Sequence, residues 1–204
     1  SELANASKKL RHRGPDDSGI FISDNKRIGI AHQRLSFIDL SENGRQPLSN
    51  GLITVAFNGE IYNYLILKEQ LQEKGYLFST KTDTEVLLNG YREWGTSLAQ
   101  KLEGMFAICI YDAELNKLIL IRDRFGIKPL FYGTFSNSLF FGSELKAIFE
   151  YTHVKKVLLK ESVSLFLANR YVPTPYTMWQ GLYKLRPATI LEVDTLTLEQ
   201  KEST

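Results

Sequence analysis

Apolar positions three and four residues apart at Tyr64, Leu67 and Leu71 predict an amphipathic helix ended by Gly75. A second helix starts at Thr82 or Asp83, either of which can cap it, and aligns Leu87, Tyr91 and Trp94 on one face before Gly95. The segment 3–10 reads as the tail of a further helix, stopped by Gly14-Pro15. Strand patterns occupy 19–23 and 28–34, joined by the turn-forming pair Asp24-Asn25. A polar loop over 41–50 then leads into an apolar strand at 53–57. Beyond it, strand patterns crowd together at 105–111, 117–122, 130–133 and 138–142, with hairpin turns at 112–116 and 134–137. A short helix from Glu144, another near 160–167 and final strands at 182–184 and 189–193 complete the reading. Helices paired early and hairpins later predict an α+β domain with antiparallel sheets covered by helices, not a βαβ repeat.

Composition narrows the classes without naming one. A chain of 204 residues, 43% hydrophobic and 24% charged, can bury the core of a single domain. Its net charge of +2 is spread over interspersed signs, which argues against nucleic-acid and membrane-surface partners. No apolar run approaches the roughly 18–20 residues of a membrane span. The single cysteine, Cys109, excludes an internal disulfide and makes a reducing, cytoplasmic setting the expectation.

The candidate chemistry centres on Val55-Ala56-Phe57-Asn58-Gly59-Glu60-Ile61-Tyr62-Asn63. An apolar strand that runs into Asn58-Gly59 places a side-chain amide beside a backbone N–H that no Cβ shields. Such a pair can hold a developing oxyanion, although Asn-Gly is also a strong turn signal. Cys109 sits in an apolar strand with Met105, Ala107 and Tyr111 on its face and reads as core filler. His12 and His32 lack any metal-ligand spacing and are expected to make structural hydrogen bonds, with His153 on the surface.

Four islands now carry a resemblance. They are Arg11-His12-Arg13-Gly14-Pro15-Asp16, the run from Ala31-His32-Gln33-Arg34 through Leu35-Ser36-Phe37-Ile38-Asp39, Asn58-Gly59-Glu60-Ile61-Tyr62-Asn63, and the run from Arg122-Asp123-Arg124-Phe125 through Gly126-Ile127-Lys128-Pro129-Leu130. Thr82-Asp83-Thr84-Glu85, Gly104-Met105-Phe106-Ala107 and Gly142-Ser143-Glu144-Leu145-Lys146-Ala147 join them. Together the chain resembles the glutaminase domain of glutamine-hydrolysing asparagine synthetases, the class II amidotransferases, as one domain over 1–204. The resemblance implies the N-terminal-nucleophile hydrolase fold, with two antiparallel sheets face to face between helical layers. It also implies a reaction in which an N-terminal cysteine attacks the side-chain amide of L-glutamine and releases ammonia. That cysteine's own α-amine serves as base, since an α-amine ordinarily titrates at roughly 7.7–8.0 and so suits proton transfer near neutrality.

Carried onto these positions, Arg34 would pair with the α-carboxylate of glutamine, and Asp83, helped by Glu60, with its α-ammonium. The backbone from Arg34 through Leu35, Ser36, Phe37 and Ile38 would line the pocket, while Asn58 and Gly59 would hold the oxyanion. The Arg11–Asp16 and Arg122–Leu130 islands are expected to be structural, with Arg122, Asp123 and Arg124 forming local ion pairs. The resemblance further implies a synthetase domain of the same polypeptide that uses ATP and Mg²⁺ on aspartate or a related acceptor, and a homodimer as one assembly. This domain itself is expected to need no cofactor or metal, and no glycine-rich phosphate loop occurs in it.

One departure bears on activity. Only ten residues precede Arg11, too few for the family's first strand, its cysteine and the following helix. The expectation is therefore a domain lacking its first strand and nucleophile, inactive alone, within an enzyme whose other parts supply them. The alternative is a non-catalytic module that still binds glutamine.

Overall fold

The computed structural model describes residues 1–35 and 44–204. Helix α1 (Glu2–Lys8) precedes a 3₁₀ turn at Arg11–Arg13 and the hairpin β1 (Asp17–Ile22) and β2 (Gly29–Arg34). Then come β3 (Leu48–Ser49), β4 (Ile53–Ile61), α2 (Tyr64–Glu73), α3 (Asp83–Trp94) and α4 (Leu98–Lys101). The second half holds β5 (Gly104–Asp112), β6 (Lys117–Arg122), β7 (Phe131–Phe135), β8 (Ser138–Gly142), α5 (Leu145–Ile148) and α6 (Lys160–Asn169). It ends with β9 (Tyr183–Lys184), β10 (Ile190–Asp194) and β11 (Gln200–Ser203).

Among the described residues the central sheet has the order β11-β10-β6-β5-β4-β3, antiparallel throughout. Period-two alternation sorts its side chains into two cores. Val55, Phe57, Ile108, Ile110, Ile119 and Ile121 face α2 and α3, where Leu71, Val86 and Leu87 are fully buried. Ala56, Cys109, Tyr111, Leu118, Leu120 and Leu191 face the other way, toward Ile30 of β2 and toward Tyr132 and Phe141 of β7 and β8. The second sheet layer thus comes in two pieces, β1-β2 and β8-β7-β9. Helices α1 and α5 pack beyond it, so the layering is helix, sheet, sheet, helix. Strands covered on both faces explain why 105–111 and 117–122 read as near-continuous apolar runs.

Four elements differ from the sequence reading. β4 does not stop at Phe57 but stays paired to Ile61 opposite Gly104, so Asn58 and Gly59 lie within the strand. Gly59 (φ +154°) and Gly104 (φ +159°) permit this, because a Cβ at either would collide with the carbonyl oxygen of Met105 or Glu60 across the ladder. β3 lies inside the polar loop, and β11 is an exposed edge strand that its four polar residues conceal. The 3–10 helix ends early, at Lys8.

The island Arg122–Leu130 is structural, but backbone groups replace the expected ion pairs. Buried Asp123 accepts from the N–H groups of Phe106 (3.2 Å), Phe125 (3.1 Å), Ile127 (2.9 Å) and Lys128 (3.0 Å). Arg122 donates to the carbonyls of Lys128 (2.8 Å), Gly126 (2.7 Å) and Leu185 (2.5 Å). Arg124 donates to Gln100 O at 3.2 Å. Neighbouring charges thus fold the loop around themselves instead of neutralising one another. Asp123→Ala strands four N–H groups, and a loss of about 3 kcal/mol in urea unfolding is expected, against roughly 0.5 kcal/mol or less for exposed Arg124→Ala. Equal costs for the two would contradict this account.

Candidate functional site

β3 is only two residues long, so it pairs with β4 at Thr54 and Val55 and, among the described residues, leaves the rest of that edge without a neighbouring strand. Antiparallel alternation turns every second residue of β4 toward that edge. Tyr62 N–H bonds to Glu103 O on the β5 side, which assigns Phe57, Gly59 and Ile61 to the open side. Two of these three N–H groups have side-chain acceptors. Phe57 N–H donates to Gln46 Oε1 at 2.7 Å, and Ile61 N–H to Asp83 Oδ2 at 3.4 Å. Gly59, between them, turns its N–H into a cavity of about 760 Å³.

That cavity brings together Arg34, Leu35, Asn58, Gly59, Glu60 and Asp83 from three separate stretches of chain. Ser36, Phe37 and Ile38, expected alongside them, lie outside the described residues. Sequence reading missed Gln46, Arg13 and Lys128, which also line it. The Gln46-Pro47 dipeptide was hidden in a loop that looked merely polar, and Lys128 and Arg13 belonged to islands read as structural.

Helix capping decides how Asp83 is used. Thr82 Oγ1 accepts from Glu85 N–H at 3.4 Å and caps α3, so Asp83 in the first turn is released toward Ile61. Burial pushes the Asp83 carboxyl upward, and the negative charge of Glu60 adds to this. Gly44 lies against Arg34, where a Cβ would collide with Nη2. The lining thus carries Arg13, Arg34 and Lys128 opposite in sign to Glu60 and Asp83. Glu144, although burial opposes it, is held down to about 2 by Lys146, His12 and Arg13, which ties two sequence islands together at the cavity's rim.

His32 and Asn58 line both this cavity and a second, narrower one of about 400 Å³. The second is a slot between β2 and β8, floored by the small side chains Ala56, Ala107 and Cys109. Cys109 is buried core, its thiol pushed far up by loss of water, and is no nucleophile. His32 Nε2 donates to Phe57 O at 3.1 Å, which leaves Nδ1 as the acceptor nitrogen. Nδ1 of His32 and Nδ2 of Asn58 are shielded from water and have no hydrogen-bond partner among the described residues. His12 bonds Glu144 Oε1 at 2.9 Å, and His153 is exposed.

Burial lowers the His32 imidazole from 6.5 to about 4, the bond to Phe57 O and Asp17 opposing and Arg34 reinforcing the shift. A folded-state value below the unfolded one means that the unfolded chain binds the extra proton between pH 6.5 and 4. Stability therefore falls as pH drops through that window, by on the order of 3 kcal/mol. Asp83, shifted upward, works in the opposite sense, and Glu144 acts only below about pH 4.5. Melting temperatures measured from pH 7 to pH 4.5 are expected to fall more steeply for the wild type than for His32→Gln. Parallel curves would refute the assignment.

Comparison with known proteins gives the cavity a context. Residues 1–203 match the family described as glutamine amidotransferase domain. The chain is 37% identical over 215 residues to a putative glutamine-hydrolysing asparagine synthetase 2 of Methanocaldococcus jannaschii, covering 95% of this chain and 41% of that protein. It is 42% identical over 185 residues to glutamine-hydrolysing asparagine synthetase 1 of Bacillus subtilis, covering 90% of this chain and 29% of that one. The chain therefore spans less than half the length of these curated relatives. Its fold resembles the solved glutamine phosphoribosylpyrophosphate amidotransferase of B. subtilis, with a TM-score of 0.64 at 20% identity over 99% of this chain and 46% of that one.

Proposed function

The chain belongs to the glutamine amidotransferase domain family, and from that premise we propose that its β4-edge cavity binds free L-glutamine for hydrolysis to glutamate and ammonia. The observation that carries this reading is the Gly59 N–H, aimed into a cavity that also holds Arg34, Asp83 and Asn58. A free amino acid presents a carboxylate and an ammonium at one end and, in glutamine, a carboxamide at the other. Arg34 supplies a planar fork for the carboxylate, and Asp83 with Glu60 supplies the counter-charge for the ammonium. Asn58 Nδ2 and Gly59 N–H then donate to the carboxamide oxygen as it becomes an oxyanion.

The reaction needs a cysteine thiolate to attack the carboxamide carbon, expel ammonia after proton transfer to its nitrogen, and leave a thioester for water to cleave. The slot beside Asn58 has the shape for an extended segment that delivers such a nucleophile. It runs between the edges of β2 and β8 over a floor of small side chains. An arriving strand there would join the two pieces of the second layer. In this reading the ammonia serves an acceptor-activating part of a longer asparagine-synthetase-like polypeptide, where ATP and Mg²⁺ would act. Among the described residues no helix is long and apolar enough to cross a membrane.

Ammonia release from L-glutamine by the full-length protein tests the proposal. Asn58→Ala is expected to lower kcat by about 100-fold with little change in KM, since the donor acts on charge that develops only in the transition state. Arg34→Ala is expected to raise KM for glutamine by roughly 30-fold or more, because the head-group contact is made in ground and transition states alike. Glutamine hydrolysis indifferent to both substitutions would remove the site from this cavity.

A further inference from the structure

The open edge of β4 raises a question of positioning. A pair of hydrogen-bond donors stabilises an oxyanion only if it is held still, and among the described residues Asn58 and Gly59 have a neighbouring strand on one side alone. The preceding residue, Phe57, is gripped on that bare side by two side chains. Gln46 Oε1 takes its N–H at 2.7 Å, and His32 Nε2 donates to its C=O at 3.1 Å. An adjacent antiparallel strand would supply one acceptor and one donor to the same peptide groups, and these side chains reproduce that pattern. Gln46 is buried, and the N–H it meets requires its carbonyl oxygen, which fixes the amide orientation.

We propose that Gln46 and His32 are positioning residues for the glutaminase site, clamping Phe57 from two different segments so that Asn58 and Gly59 keep their aim. The inference rests on the reading of Asn58 and Gly59 as oxyanion donors. Neither side chain is required to touch the substrate for this role. Both act through the Phe57 backbone, and the glutamine head group is left to Arg34, Glu60 and Asp83.

Paired substitutions in the full-length protein test it with L-glutamine as substrate. Gln46→Met and His32→Leu, which remove the acceptor and the donor, are expected to lower kcat about tenfold each while KM stays within about threefold. Gln46→Glu keeps an acceptor and His32→Gln keeps an Nε2 donor, so each is expected to recover most of the lost kcat. Amide hydrogen exchange supplies a readout independent of turnover. In Gln46→Met the Phe57 amide should exchange at least about tenfold faster, while Ala56 and Asn58, bonded to β5, remain protected. Unchanged kcat, a loss carried by KM, failed recovery by the conservative variants, or uniform exchange across Ala56–Asn58 would each overturn the clamp. Asn58→Ala separates the two levels: if it abolishes turnover while the clamp variants are silent, only this inference falls, and if it is itself silent, the site reading falls first.

Discussion

An unpaired strand edge inside a folded domain is the constraint on which the rest of this structure depends. Backbone N–H and C=O groups removed from water must find partners, and an interior strand ordinarily obtains them from the strands on either side. β4 has β5 along its whole length but β3 for only two residues. From Phe57 onward the bare side has to be satisfied piecemeal, by Gln46 and His32 at Phe57 and by Asp83 at Ile61. What is left between those two positions, among the described residues, is one backbone donor facing a cavity. The site is therefore a gap in a ladder, framed by side chains that make the gap permanent.

Two glycines keep the gap usable. Gly59 and Gly104 sit on opposite strands, and each leaves space that the other strand's carbonyl oxygen fills. Without them β4 and β5 could not remain in register past Asn58. The same close approach keeps Gly59 free of a Cβ that could shade its N–H from the cavity. Packing and chemistry thus ask for the same residue, which is why a single substitution there would disturb both.

Local pattern made most of the fold legible. Spacing gave α2 and α3, and continuous apolar runs with turn residues between them gave β5, β6 and β8 to within a residue or two. What escaped was decided by tertiary partners. β11 has only polar residues and is a strand because β10 offers it an edge. β3 is a strand because β4 passes it. The charged run Arg122-Asp123-Arg124 looked like a set of ion pairs because sequence shows charges and not the carbonyls and amides that curl back to meet them. Arg34, Asn58, Gly59, Glu60 and Asp83, which one cavity brings together, were legible from their motifs. Gln46 was not, because its role is to replace a strand, and nothing in a polar loop announces that.

The cavity also carries an energetic cost that favours a ligand. Asn58 Nδ2 and His32 Nδ1 are shut away from water without partners among the described residues, and each such group costs about 1–3 kcal/mol. His32 cannot relieve its position by protonating near neutral pH, since burial holds it down to about 4. Asn58 cannot turn freely, because its strand is locked to β5 behind it and its neighbour Phe57 is gripped in front. On the proposed reading, folding energy from the two apolar cores is committed in advance to the Asn58 amide, a donor that meets developing charge, while His32 Nδ1 presents a lone pair that only a hydrogen-bond donor can satisfy. On that reading, an incoming group that accepts from Asn58 recovers its share of that energy without any reorganisation of the sheet, and the recovery is greatest when the group carries most negative charge. In the proposed glutaminase, rigidity of β4 is therefore the means by which stability stored in the core becomes selectivity for a transition state.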